Sequence, residues 1–313
     1  MAMHKPAHCK EVGAAAEVCV RAVAAAAASA RRQASHATEW HSTYGAIIVG
    51  MKPPKMGSCA LCLNFRPLEL SHFLPQGVSK RLRSPRGPVT EPILVTRQVS
   101  ISTSNQLRDH LLCSSCEKLF DQRGEDYALR QMNNRGRFPL LDRLRVSPCL
   151  DFSLREGVYS GSALGIDTEK LAYFALSVVW RGAVHTWRAA DGQNVRPINL
   201  GPCQETIRQH LLGRAPFPSQ VAVVVNVCTD FESQVIAYYP TPRLGIPGMA
   251  YAFLACGIHF TVFTEATDPS VRRVCCVGSA EKLIFSRNIK ALTYRAYGKL
   301  AATSRPVGAL AGQ

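Results

Sequence analysis

No apolar run in this chain approaches the roughly 20 residues that a membrane-spanning helix needs. The best candidate, Met249 to Phe263, is shorter, contains Gly257 and His259, and reads as a strand or hairpin. A secretory leader pattern is missing as well. Both gaps argue against a membrane partner. Acidic side chains are scarce, with 22 Asp and Glu against 37 Lys and Arg, giving a formal net charge of +15. That balance favours polyanionic partners, of which nucleic acid is the usual one. Regular cysteine spacing is also rare. Of 12 cysteines, Cys9, Cys19, Cys149, Cys203, Cys228, Cys256, Cys275 and Cys276 are scattered, several of them in apolar strand-like runs. This excludes a secreted disulfide framework and implies buried thiols in a reducing, cytoplasmic compartment.

The remaining cysteines form two Cys-x-x-Cys pairs, Cys59/Cys62 and Cys113/Cys116. Zinc prefers four ligands in a tetrahedron, and two intervening residues let one tight turn aim both sulfurs at one ion. A single pair could be a redox dithiol; two pairs in one chain point to a four-thiolate structural zinc site. The wide gap between the pairs requires an insertion that folds between them.

The chain divides into three parts. Residues 1–55 form an Ala-rich extension, disordered or marginally helical, with too few large apolar groups to bury. Its Ala/Arg/Ser flavour suggests an organelle presequence, Glu11 and Glu17 argue against one, and Met51 and Met56 are alternative starts. Residues 56–148 hold the cysteine pairs. Within them Leu68 to Phe73 reads as a strand, Gly77 to Pro88 as an exposed basic segment, and Val89 to Ser104 as strand-like; a helix runs from Cys116 to about Arg130. Residues 149–313 read as an α+β region with a mostly antiparallel sheet. Asp167 caps a long helix, Thr168 to Arg188, and a shorter one spans Gln204 to Leu212. Strands are expected at Gln220 to Cys228, Gln234 to Tyr239, Ala250 to Phe263 and Arg273 to Val277, with a final helix over Arg287 to Ala301.

Between the cysteine pairs lies Leu70-Ser71-His72-Phe73-Leu74-Pro75. A neutral imidazole can take a proton from attacking water, so His72 is the leading catalytic candidate. Its alternative is a structural histidine. Lys80, Arg81, Arg83 and Arg86 are candidate phosphate contacts, with a solvated loop as the alternative. Nothing in the pattern suggests base-specific reading.

Taken together, Cys59-Ala-Leu-Cys62, Ser71-His72-Phe73-Leu74-Pro75 and Leu111-Leu112-Cys113-Ser114-Ser115-Cys116-Glu117 resemble the zinc-knuckle branch of the HNH endonuclease superfamily. They are similar to uncharacterised bacterial proteins carrying Ser-His-x-x-Pro and Leu-Leu-Cys-x-x-Cys-Glu strings. The fragments Ser177-Val-Val-Trp180-Arg181 and Asn199-Leu-Gly-Pro202 extend the likeness over most of residues 56–230. The resemblance implies a ββα-metal fold, structural zinc on the four cysteines, His72 as general base, and Mg²⁺ or Mn²⁺ for DNA cleavage. Three positions depart from the family pattern. Ser71 stands where Asp or Glu usually ligates the catalytic metal, and a hydroxyl is a poor ligand for Mg²⁺. No Asn lies cleanly ahead of the second knuckle, where the chain reads Asn105-Gln106-Leu107-Arg108-Asp109-His110. Glu117 replaces the usual His or Asn. Glu117 is then a candidate metal ligand, with Asp109 or Asp121 assisting and His110 a second ligand or phosphate contact. The alternative for Glu117 is complementing the positive end of its helix. Trp180 is expected in the core and Arg181 in a structural or surface role. The competing readings are a non-catalytic zinc module that binds nucleic acid and a protein-interaction domain stapled by zinc.

Overall fold

The computed structural model describes residues 54–83, 90–96, 98–153, 156–189, 192, 194, 195, 197–243, 249–266, 268–279 and 281–311. The Ala-rich extension and Arg86 lie outside these. The architecture is mixed α/β with sheets rich in antiparallel pairing. In chain order the first elements are β1 (Met56–Ser58), β2 (Phe65–His72), α1 (Gln76–Leu82), β3 (Ile93–Val95), β4 (Val99–Ser102) and β5 (Arg108–Cys113). A continuous helical stretch follows: α2 (Ser114–Phe120), one π-helical turn (Asp121–Glu125) and α3 (Asp126–Gln131). Then come α4 (Pro139–Arg145), β6 (Asp151–Ser153), β7 (Glu156–Ser160), α5 (Thr168–Val184), α6 (Cys203–Leu211), β8 (Ala222–Cys228), α7 (Phe231–Gln234), β9 (Ala237–Pro242), β10 (Ala250–Ala255) and β11 (Ile258–Phe263). The chain closes with α8 (Pro269–Arg273), β12 (Leu283–Arg287), α9 (Lys290–Thr293), a second π turn, α10 (Lys299–Thr303) and β13 (Arg305–Val307).

The largest sheet has seven strands in the order β6-β7-β12-β8-β11-β10-β9. Its neighbours pair antiparallel except β12 with β8, which run parallel. Strands β10 and β11 each have a neighbour on both sides and nearly all their residues are buried, so they read as continuous apolar runs rather than alternating ones. The two residues joining them, Cys256 (φ 43°) and Gly257 (φ 91°), both take left-handed backbone. That is the turn whose twist matches a two-residue hairpin.

Helix α5 is buried nearly all round, from Leu171 to Gly182. A helix apolar on every side belongs in an interior, and α5 sits between the large sheet and the cysteine-bearing segment. The Asp167 Oδ1 accepts from the Lys170 backbone N–H at 3.0 Å, the expected cap. The π turn packs directly on α5: a Cβ on Gly124 would lie 2.8 Å from the Phe174 backbone nitrogen. One connected core runs from Cys59 to Ile284 and includes α5. Within it Phe73, the residue after His72, stacks between Trp187 (5.1 Å) and Tyr239 (5.0 Å).

Several elements differ from expectation. The expected basic loop over Gly77 to Pro88 begins as α1, because Val78 finds a buried seat and Pro75 sets the entry. The long helix ends at Val184 rather than Arg188, since His185 adopts extended backbone. Arg273 to Val277 is not a strand. Asp268 caps α8 by accepting from the Ser270 N–H at 2.7 Å, and the chain then bends to bury Cys275 and Cys276. The final helix begins at Lys290, because Arg287 is drawn into β12 beside Cys228 and Glu156.

Candidate metal centre and the His72 face

Strands β1, β2 and β5 form a small antiparallel sheet in the order β1-β2-β5. The first cysteine pair occupies the turn between β1 and β2. Its backbone closes through Cys59 N–H to Asn64 O (3.0 Å) and Leu63 N–H to Cys59 O (2.8 Å), which forces Leu63 to φ 65°. The second pair spans the exit of β5 and the first turn of α2. Pairing of β2 with β5 and the bond from Ala60 N–H to Leu111 O (3.0 Å) bring the two turns together. A separation of more than fifty residues therefore collapses to contact.

The four sulfurs of Cys59, Cys62, Cys113 and Cys116 lie within 4.8 Å of one another. Zinc–sulfur bonds of about 2.3 Å in a tetrahedron place sulfurs ~3.8 Å apart. The Cys62 and Cys113 sulfurs are 3.9 Å apart. The Cys113 backbone N–H points at the Cys59 sulfur at 3.3 Å, the kind of bond that steadies a thiolate. A hydrogen bond from Cys116 holds the Cys59 thiol down to about 4, while that same bond pushes Cys116 up and burial raises Cys113. Four thiols this close repel one another when ionised, and a divalent cation relieves that repulsion. The donors, their spacing and their charge fit a metal ion and are consistent with structural zinc.

His72 ends β2, half-buried, directly across from Arg108 at the start of β5. Burial, then the Arg108 charge, hold its imidazole below the ordinary histidine value; Glu117 opposes them, and Arg181 and Lys80 add to the lowering. His72 is therefore neutral at neutral pH. Ser71, where the family pattern has a carboxylate, is fully buried and its hydroxyl accepts from Leu112 N–H at 3.1 Å.

Glu117 lies on α2 with its side chain 24% exposed. Its Oε2 is 3.8 Å from Arg181 Nη2, and its buried Oε1 has no hydrogen-bond partner. Arg181 is 1% exposed. It packs over the Phe120 ring at 4.6 Å and its Nη2 lies 2.6 Å from Glu125 Oε1, a charge contact without hydrogen-bond alignment. Burial raises the Glu125 carboxyl to about 7; Arg181 counters this, and Glu117 and Asp121 reinforce it. Burial and the charge of Glu117 raise Asp121 too. Glu117, Asp121 and Glu125 repeat every four residues, a spacing visible in the sequence. Their convergence on Arg181, which lies on α5, was not visible.

Asp109 occupies the opposite face. Neighbouring strand positions alternate, and Asp109 pairs with Ser71 rather than with His72. His185 Nε2 is 3.1 Å from its Oδ2, and Lys55 is 3.8 Å from its Oδ1. Asp109 stays below the usual carboxylate range because the His110 N–H bond and the nearby His185 and Lys55 outweigh burial. His110 Nδ1 contacts Leu68 O at 3.0 Å. Among the basic candidates, Lys80 is exposed and acts on His72. Arg81 donates to Gly77 O at 2.9 Å, and Arg83 pairs with Glu91 at 3.0 Å. Among the described residues, no other group of three His, Cys, Asp or Glu side chains draws as close as the cysteines.

The fold and site define a class: a mixed α/β protein with antiparallel-rich sheets and a four-cysteine cluster able to hold a metal ion. No helix among the described residues is long and apolar enough to cross a membrane. No protein-family model, curated protein or solved structure matches the chain.

Proposed function

We propose that this chain is an HNH-like endonuclease that hydrolyses DNA phosphodiester bonds, with a structural zinc on the four cysteines and His72 as general base. The supporting observation is His72 itself. It is held neutral on a strand pair that the cysteine cluster staples to α2, in electrostatic reach of Glu117. A neutral imidazole there can take the proton of an attacking water. The buried Glu117 Oε1, unpartnered, is the oxygen available to a Mg²⁺ or Mn²⁺ ion. When bound, that ion would supply charge stabilisation at the phosphate and leaving oxygen. In this reading residues 56–148 carry the chemistry, residues 149–313 supply target choice or partner contacts, and the unpaired thiols suit the cytoplasm.

A non-catalytic nucleic-acid-binding module is the second reading. It is favoured by Glu117 turning toward Arg181 and by the lack of another three-ligand group among the described residues. Plasmid and single-strand cleavage by the zinc-loaded chain with Mg²⁺ or Mn²⁺, beside His72→Ala of equal zinc content, separates the two. Cleavage lost in His72→Ala supports the endonuclease, with a rate that falls only below the ordinary histidine pKa. Salt-sensitive binding without cleavage supports the module.

A further inference from the structure

We propose that Arg108 and His72 together form the seat for one backbone phosphodiester, with Arg108 as the guanidinium that grips its non-bridging oxygens. The inference rests on the reading of His72 as the reacting base. His72 and Arg108 are directly opposed in the β2–β5 register, so their side chains leave the same face of the sheet. Directly opposed positions have Cβ atoms about 4.5–5.5 Å apart. Arg108 is exposed and, among the described residues, its side chain makes no hydrogen bond or ion pair.

Neighbouring cations are committed. Lys55 pairs with Asp109, Arg83 with Glu91, and Arg81 bonds a backbone oxygen. A second cation unpaired among the described residues, Lys80 on α1, bears on the same imidazole. Two such cations around a neutral histidine leave a local positive excess, and among the described residues Glu117 is the anion that bears on it. A guanidinium fork matches a phosphate bidentately where an ammonium gives a point charge. The pairing also gives Arg108 a second effect, since its charge disfavours the imidazolium and keeps His72 able to accept a proton.

The test uses the full zinc-loaded chain as wild type, Arg108→Gln, Arg108→Thr and Arg108→Lys, with zinc content and circular dichroism matched. Thr is included because it is a good strand former. Binding of a labelled 20-base-pair duplex and of inorganic phosphate is measured across a salt series, and the His72 ring is titrated by NMR. Loss of one charged contact predicts roughly tenfold weaker duplex binding in the Gln and Thr variants. The salt slope should fall by about one and the His72 pKa should rise, with Lys restoring both in part. Unchanged affinity, slope and His72 titration in the neutral variants overturns the seat, as does a wild type that binds no duplex. Inorganic phosphate binding as tightly as the duplex overturns the nucleic-acid assignment. Arg108-dependent binding without cleavage upholds the seat and sinks the endonuclease reading. Cleavage undiminished in Arg108→Gln does the reverse.

Discussion

Replacing Glu125 by Gln keeps the shape of a buried side chain while removing its ability to ionise. In the wild type Glu125 is 5% exposed, faces Arg181 and has neighbouring carboxylates at Glu117 and Asp121. One guanidinium cannot neutralise three carboxylates, and Glu125 is the one buried away from water, so it holds its proton longest. Its carboxyl titrates near 7 in the fold against 4.5 in the unfolded chain. Between those values the folded state binds more protons than the unfolded state, so stability falls as pH rises. The contribution is fully present below the unfolded value and lost as pH rises through the folded one. At about 1.4 kcal/mol per pKa unit the difference amounts to about 3 kcal/mol. Urea unfolding at pH 5, 6, 7 and 8 with zinc present measures it. The wild type should gain about 2.5 kcal/mol over Glu125→Gln between pH 8 and pH 5, on top of a constant offset for the altered Arg181 contact. Cysteine protonation is common to both proteins and cancels in the difference. A difference that is flat with pH, or that runs the other way, would refute this account of the Arg181 cluster.

Cys113→Ser should lose the bound metal and at least about 3 kcal/mol of the roughly 10 that a closed zinc site can contribute. One zinc per wild-type chain by elemental analysis, and a chelator-dependent drop in Tm, would confirm it; indifference to chelator would not. Gly124→Ala should cost about 1–3 kcal/mol, because the added Cβ would meet backbone atoms of Phe174 and Lys170 that cannot swing aside. A Tm equal to wild type would show that the π turn is not pressed against α5. Leu63→Gly should stabilise by about 0.5–1 kcal/mol, since Leu63 holds φ 65° while exposed. A lower Tm would show that the Leu63 side chain contributes more than its backbone strain costs.

The sequence alone determined the features whose cause is local. Cysteines three apart must share a turn, so the four candidate ligands were legible; Asp167 ahead of an apolar helix is a cap wherever it occurs. The apolar stretch from Ala250 to Phe263 announced β structure for the same reason. Long-range pairing was not legible. In the large sheet β7 is joined to β8 by β12, a strand hidden in an ordinary stretch and recruited by parallel pairing with β8. The β2–β5 register decided that Arg108 and not Asp109 stands across from His72, because a shift of one residue exchanges faces. Likewise Glu117, Asp121 and Glu125 carried helical spacing in the sequence, but only packing of α5 against the π turn supplied Arg181 as their common cation. Local chemistry depends on neighbours in the chain. Which charges meet, and which are desolvated, depends on which surfaces the core brings together.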